Sequence, residues 1–156
     1  MIRGRPLALH MSNTTLIINP EEADLSTASD IYGRWQMLYR TEEACRHNAF
    51  SRHDRFVDLK DYEVVASLSM SEHEISPYIV TQNIENSWSR DARDGKIDGV
   101  TLVKPLEVDE EGREWGHRSS MVGDMIYNPR TGVAYIIMPI GWAKCYTVDA
   151  EWFSKI

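Results

Sequence analysis

The residues whose types and spacing could do chemistry lie in the last third of the chain, from His117 to Asp124. Arg118 carries a planar group that can bind a carboxylate or a phosphate through two parallel hydrogen bonds. Gly123 and Asp124 directly precede an apolar run, which is typical of a tight turn in which glycine takes a positive φ and the aspartate side chain accepts backbone amides. We therefore interpret both as turn residues. The alternative is that Asp124 is a catalytic carboxylate. Arg118 either pairs inside the chain, with Asp124 or Glu114, or holds an anionic ligand.

No recognised catalytic or metal-binding motif accompanies these residues. His47, His53 and Asp54 have side chains of the ligand type, but their spacing matches no known metal site. The sequence contains no Gly-x-Ser-x-Gly elbow, no phosphate-binding loop and no Gly-x-Gly-x-x-Gly. Cys45 and Cys145 are the only cysteines, and they belong to no Cys-x-x-Cys or Cys/His cluster. We predict no metal, no cofactor and no catalytic residue, and enzyme activity is not favoured.

Composition and charge limit the class of partner. The 156 residues are 42% hydrophobic and 26% charged, as in an ordinary globular protein, and the formal net charge is −7. This acidity disfavours direct binding to nucleic acid, because binding to phosphates needs a basic surface. No apolar run approaches the roughly 20 residues that span a bilayer. We expect a cytoplasmic protein without membrane contact, and both cysteines as free thiols.

Aromatic side chains in polar surroundings suggest a surface for binding another protein. Trp88 and Trp115 lie among polar residues, and Trp115 follows the acidic run Glu107–Glu114. Each of these two tryptophans either caps the edge of the core or anchors a partner, since exposed aromatics are enriched at protein interfaces. Stacking on single-stranded bases would also need a basic groove. The partner is either a different protein or a second copy of this chain in a homo-oligomer. The predicted contact surface consists of Trp88, Glu110, Glu111, Trp115 and Arg118.

The front half of the chain is predicted to be mainly helical. Residues 16–18 form a short apolar run that Asn19-Pro20 would end, which is consistent with a strand or an extended arm. After it, Ser29 or Asp30 can cap a helix that carries Ile31, Trp35, Leu38 and Tyr39 at helical spacing. Thr41 can cap a second helix, and residues 46–55 show no period and are interpreted as a loop. Residues 1–15 are predicted to be a flexible extension of a single domain that spans residues 16–156.

The back half is predicted to hold a small sheet. Residues 62–70 alternate between apolar and polar positions and predict a strand, and residues 99–103 predict another. Residues 71–74 offer a capping box, and Ser76 with Pro77 predicts a short helix through Asn83. Residues 85–99 form a polar region in which Trp88 is isolated, and residues 107–116 are interpreted as a charged loop. The expected fold is α+β, with an N-terminal helical part packed on a small, mostly antiparallel sheet that has a C-terminal hairpin.

The hairpin is the clearest element. Residues 125–128 and 133–138 flank a connection that begins with Pro129 and ends with Gly132, as turn chemistry favours. Gly141 is assigned to the turn that follows, residues 144–148 to a further strand, and Asp149 to the cap of a last helical turn.

The stretch Arg118-Ser119-Ser120-Met121-Val122-Gly123-Asp124-Met125-Ile126, followed by Ala134-Tyr135 and Gly141-Trp142, resembles a carboxy-terminal pattern of small proteins from phages, plasmids and conjugative elements. That pattern reads approximately R-S-x-S-V-G-D-V-I, then a tyrosine-bearing strand, then G-W. The proteins that carry it include those with YodL-like domains. Residues 81–84, with Trp88 after them, resemble the middle of such proteins. The resemblance implies an accessory protein of a mobile element in the bacterial cytoplasm, and it implies no enzyme activity.

The leading hypothesis is therefore a protein-binding module that interferes with a host protein, such as one of defence or nucleic-acid processing. The partner is an unidentified host or element protein. The alternative is a small enzyme or ligand-binding domain with a pocket near Arg118 and Asp124. It predicts a deep cleft with convergent polar groups at that turn.

Overall fold

The computed structural model describes residues 14–25, 28, 30–70 and 76–147. Within these residues it contains ten β-strands, three short α-helices and one 3₁₀ turn, at Leu59–Asp61. The strands are β1 (Thr15–Ala23), β2 (Gly33–Arg40), β3 (Phe56–Asp58), β4 (Tyr62–Met70), β5 (Val100–Leu102), β6 (Glu107–Val108), β7 (Glu114–Trp115), β8 (Met125–Asn128), β9 (Val133–Ile137) and β10 (Trp142–Thr147). The helices are α1 (Glu42–His47), α2 (Pro77–Val80) and α3 (Trp88–Arg93).

Eight strands form one antiparallel sheet in the order β3-β1-β10-β9-β8-β2-β4-β5. The sheet curls into a half-barrel. Strands β6 and β7 stand apart as a two-stranded ribbon. Both faces of the large sheet are buried: one around Trp35, Tyr39 and Leu68, the other around Leu16, Leu38 and Ile136. In the described part of the chain, no helix has the length and apolar character needed to cross a membrane.

The predicted fold class, an N-terminal helical part on a small sheet, is wrong. Strands make up 40% of the described residues and helices, with the 3₁₀ turn included, 15%, so the sheet is the body of the described structure. Residues 33–40, predicted as a helix, form β2, which pairs with both β4 and β8. Trp35 and Tyr39 face one core, and Leu38 faces the other. A strand buried on both faces thus placed apolar residues three and four apart, which imitates the period of a helix.

The strand and hairpin predictions of the back half are confirmed, with one refinement. Residues 62–70 form β4, but a register shift opposite Met37 and Leu38 turns the strand over part-way along. Tyr62 and Val64 therefore pack on one face of the sheet, while Ala66 and later apolar residues pack on the other. This is the effect of an extra residue in one strand of an antiparallel pair.

The predicted end of the first strand is also wrong. Strand β1 continues through Asn19-Pro20 to Ala23, and its pairing with β10 shifts register between Ile18 and Glu22. A bulge tolerates a proline because it needs no ladder hydrogen bond from that residue. The predicted helix starts are confirmed: Thr41 caps α1, and Ser76 caps α2 with Pro77 in its first turn. Ser29, the capping box at 71–74 and Asp149 lie outside the described residues.

Candidate functional site

The turn before β8 is organised by a buried carboxylate. Asp124 has no exposed surface. Its Oδ1 accepts a hydrogen bond from the Arg40 backbone N–H at 2.9 Å, and its Oδ2 accepts one from the Met121 backbone N–H at 2.8 Å. Gly123, with φ of +98°, provides the backbone conformation that this turn requires. The turn residues Gly132 and Gly141 also have positive φ, 74° and 70°.

Arg118 completes this group by pairing with Asp124. Its Nη1 lies 2.6 Å from Asp124 Oδ2 and its Nη2 lies 2.9 Å from Asp124 Oδ1, a bidentate arrangement. The same two nitrogens donate to the carbonyls of Ser119 and Arg40, and the guanidinium lies 4.2 Å from the centre of the Tyr39 ring. Burial alone lowers the pKa of Arg118, but the bond to Asp124 outweighs it and the pKa is raised. Arg118 therefore stays charged and is committed to the fold.

Trp88 is buried, so its predicted place on the contact surface is corrected. Only 2% of its surface is exposed. Its Nε1 donates to the Arg118 carbonyl at 2.9 Å, and its ring packs edge-on against Tyr39. The polar neighbours that suggested exposure belong to the short helix α3, which turns Trp88, Ser89 and Ala92 toward the core. The Trp88 indole can be buried this deeply because its N–H has a hydrogen-bond partner.

The two stretches that carry the family resemblance contact each other. Thr81 Oγ1 and Ser120 Oγ are 2.7 Å apart and both side chains are buried. Gln82 Nε2 donates to the Ser120 carbonyl and hydroxyl, and the Asn83 backbone N–H donates to Ser119 Oγ at 2.8 Å. Because every one of these polar groups is paired, they hold the turn to the end of α2 and are not directed at a ligand.

A cleft of about 460 Å³ opens beside this turn, between the β6–β7 ribbon, β4 and α1. Its lining includes Cys45, Lys104, Trp115 and Met121. A second cavity, of about 230 Å³, adjoins it and shares Arg40, Cys45, Arg118 and Met121 as lining residues. We call the two cavities together the groove.

The charged groups that line the larger cavity are mostly paired within the protein. Lys104 Nζ lies 2.8 Å from Glu63 Oε1, and His117 Nε2 lies 2.8 Å from the Lys104 carbonyl. The Arg40 guanidinium donates to carbonyls of α1 and its cap. Among the described residues, Glu107 is a lining carboxylate that forms no ion pair. The cleft thus offers apolar surface and the carboxylate of Glu107 more than groups positioned to make or break bonds.

The ribbon presents a large, exposed aromatic side chain, Trp115, to the groove. Trp115 is 55% exposed, and Met121 across the cleft is 50% exposed. Asp109 fixes the indole, because its Oδ2 accepts hydrogen bonds from Trp115 Nε1 at 3.0 Å and from Arg113 Nε at 2.8 Å. Hydrogen bonds from the Arg113 backbone and from Trp115 outweigh the opposing effect of burial and lower the pKa of Asp109. The Trp115 ring is therefore held in place while it is exposed.

The ribbon is anchored to α3 at its base. Arg93 forms an ion pair with Glu114, and Arg90 Nη2 donates to the Glu114 carbonyl. At the other end, the predicted contact residues Glu110 and Glu111 are exposed at the tip. The sequence showed the acidic run but not the ribbon, because strands of two residues leave no alternation to detect.

The histidines singled out in the sequence do not converge. His47 lies 3.9 Å from Glu43 on the exposed side of α1, and His53 is exposed in the following loop. No cluster of three or more potential metal ligands is found in the part of the chain that the structure describes. Comparisons with protein-family models, with curated proteins and with solved structures found no match.

Proposed function

We propose that this protein is a protein-binding module and that it contacts its partner through the groove and the β6–β7 ribbon. The resemblance of its carboxy-terminal pattern supplies the setting: an accessory protein of a phage or other mobile element that binds a host or element protein. The observation that carries the proposal is Trp115, half exposed and fixed by Asp109 at the entrance of a 460 Å³ cleft.

An exposed and rigid tryptophan suits a role as an interface anchor. Tryptophan is enriched among the residues that dominate binding energy, and it offers a large contact area with few rotatable bonds. Here the ring is already held by Asp109 and lies 5.7 Å from the Arg113 guanidinium. Little side-chain entropy then remains to be lost on binding. Met121 adds a flexible apolar side chain that can adapt to a partner.

The alternative, a small-molecule site, has one observation in its favour. The larger cavity falls within the range of about 300–1,000 Å³ that is usual for ligand pockets. Recognition of a metabolite, however, needs polar groups that are free to bind it. Arg118, Lys104 and His117 are each engaged by other parts of the protein. This favours an occupant that fills the groove mainly with apolar contacts.

The proposed mode of action is occlusion. A side chain of the partner enters the groove beside Trp115, while the carboxylates of the ribbon face a basic region of the partner's surface. If that region normally binds nucleic acid, the bound module competes for it. No bond is made or broken, so the effect depends on the concentration of the module and on its affinity.

Affinity capture from the native host tests this proposal. The full chain, Trp115→Ala and the control Tyr32→Ala serve as baits, since Tyr32 is also half exposed and lies outside the groove. We expect a protein that the full chain and Tyr32→Ala retain and that Trp115→Ala loses. Identical capture by all three baits would refute the proposal, and binding of a metabolite at the Arg118 side of the cleft would favour the alternative.

A further inference from the structure

The larger cavity contains one carboxylate, Glu107, that no cationic side chain of the described residues pairs with. Lys104 pairs with Glu63 and Arg118 with Asp124, while the Arg40 guanidinium is held by backbone carbonyls of α1 and its cap. Glu107 forms no ion pair with any described residue. An unpaired carboxylate beside an aromatic ring favours a cationic group, since both attract positive charge.

The ribbon extends this negative field to the entrance of the groove. Residues 107–114 contain five carboxylates and one arginine, a formal charge of −4. Arg113 is shared between Asp109 and Glu111, and Glu110 has no ion pair with a described residue. A partner segment that approaches the groove therefore meets negative potential before contact, which selects for basic segments.

The smaller cavity has a different character. Its lining includes the apolar side chains of Ala49, Phe50, Met121 and Val122, together with Cys45 and the two arginines Arg40 and Arg118, which are bonded within the protein. Its acidic residue, Asp124, is fully buried and paired. A cationic side chain would lose its hydration there without gaining a carboxylate, whereas an aliphatic side chain would gain by leaving water.

The two cavities adjoin, since Cys45, Arg118 and Met121 line both. One short segment can therefore place a side chain in each. In an extended segment, side chains on the same face are two residues apart.

We infer that the groove binds a short, extended segment of the partner protein in which a lysine or arginine lies two residues from an aliphatic residue. The basic side chain lies against Trp115 and Glu107 in the larger cavity, and the aliphatic side chain fills the smaller one. This inference depends on the proposed function and adds the chemistry of the partner.

Selection from a display library of random heptapeptides tests it, with the full chain as target and Trp115→Ala as the counter-target. We expect each enriched peptide to contain a basic residue and an aliphatic residue two positions apart. The affinity of the tightest peptide is then measured by fluorescence anisotropy. Trp115→Ala should lower that affinity by at least about tenfold. Glu107→Gln weakens it several-fold, while the matched control Glu21→Gln, an exposed acid on β1, leaves it unchanged. Added salt weakens binding.

A charge exchange keeps the test decisive if Trp115→Ala fails to fold. Glu107→Lys should lose the basic peptide and bind the same peptide with its basic residue replaced by glutamate. Enriched peptides that are acidic, or apolar without a basic residue, but that still need Trp115, would overturn this inference and leave the protein-binding role intact. Peptides that bind Trp115→Ala equally well would overturn both. If no peptide is enriched, the inference that the groove binds a short linear segment is overturned. Affinity capture then decides separately whether the protein binds another protein.

A second copy of the chain is the remaining occupant to distinguish. Sedimentation analysis of the full chain and Trp115→Ala at increasing concentration addresses it. Self-association that disappears in Trp115→Ala would place a second copy in the groove and overturn the inference. A monomer at all concentrations supports a different partner.

Discussion

Removal of the Asp124 carboxylate should cost a large part of the stability of this fold. The fully buried side chain accepts four hydrogen bonds, two from backbone amides and two from Arg118. Breaking a buried ion pair by removing one partner costs about 3–5 kcal/mol. The Arg118 side chain is 36% exposed, so water can partly compensate the charge that is left behind. We therefore expect Asp124→Ala to lower the free energy of unfolding by about 3 kcal/mol.

Urea denaturation of Asp124→Ala, Arg118→Met and the double variant measures this loss. For a chain of this length, about 3 kcal/mol corresponds to a fall in Tm of roughly 10 °C. The double variant should lose at least about 1 kcal/mol less than the sum of the single variants, because the two side chains act on each other. Glu110→Gln is the control and should unfold like the parent protein. A loss below about 1 kcal/mol for Asp124→Ala, or additive losses, would refute the assignment of this pair as the centre of the turn.

Three further predictions follow from burial and backbone geometry. Trp88→Ala should cost about 3–5 kcal/mol in urea unfolding because it empties a buried site, whereas Trp115→Ala should cost less than about 1 kcal/mol; similar losses would contradict their placement. Gly123→Ala should cost about 2 kcal/mol or more, because φ is +98° and the new Cβ would lie 2.9 Å from a neighbouring side-chain carbon; Gly33→Ala, with positive φ but open space, should cost less in the same assay. Burial raises the pKa of Tyr39, Tyr62 and Tyr135, so the stability that depends on their neutral forms is present below the unfolded pKa of about 10 and is lost as the pH rises above it. An unchanged urea midpoint between pH 8 and pH 10.5 would contradict this, and Tyr62→Phe should lose less of its stability over that range than the parent protein does.

The back half of the fold was accessible from sequence because its signals are local. The alternation in β4 and the Pro129–Gly132 connection each depend on neighbouring residues, and the structure places strands and a hairpin there. The start of α2 was equally local, since a serine cap followed by proline suits a helix N-terminus. These local preferences predicted the structure correctly because tertiary packing favours the same conformations.

The front half was missed because tertiary packing decided it. In β2, Trp35 and Leu38 serve opposite faces of the sheet, and no single-face pattern could show that. The groove is similar: Cys45 is distant in sequence from Trp115 and Met121, and the three line one cleft only in the folded chain. Trp88 and Trp115 have comparable polar neighbours, and only the packing of α3 tells the buried one from the exposed one.

The most direct test of the account is an NMR spectrum of the indole N–H groups with the selected basic peptide added. The five tryptophans give separate probes. We predict that the Trp115 signal shifts in proportion to occupancy, while the signal of Trp88, whose N–H stays bonded to the Arg118 carbonyl, moves little. A bound peptide that leaves the Trp115 signal in place would contradict the claim that the ribbon and the groove form the contact surface.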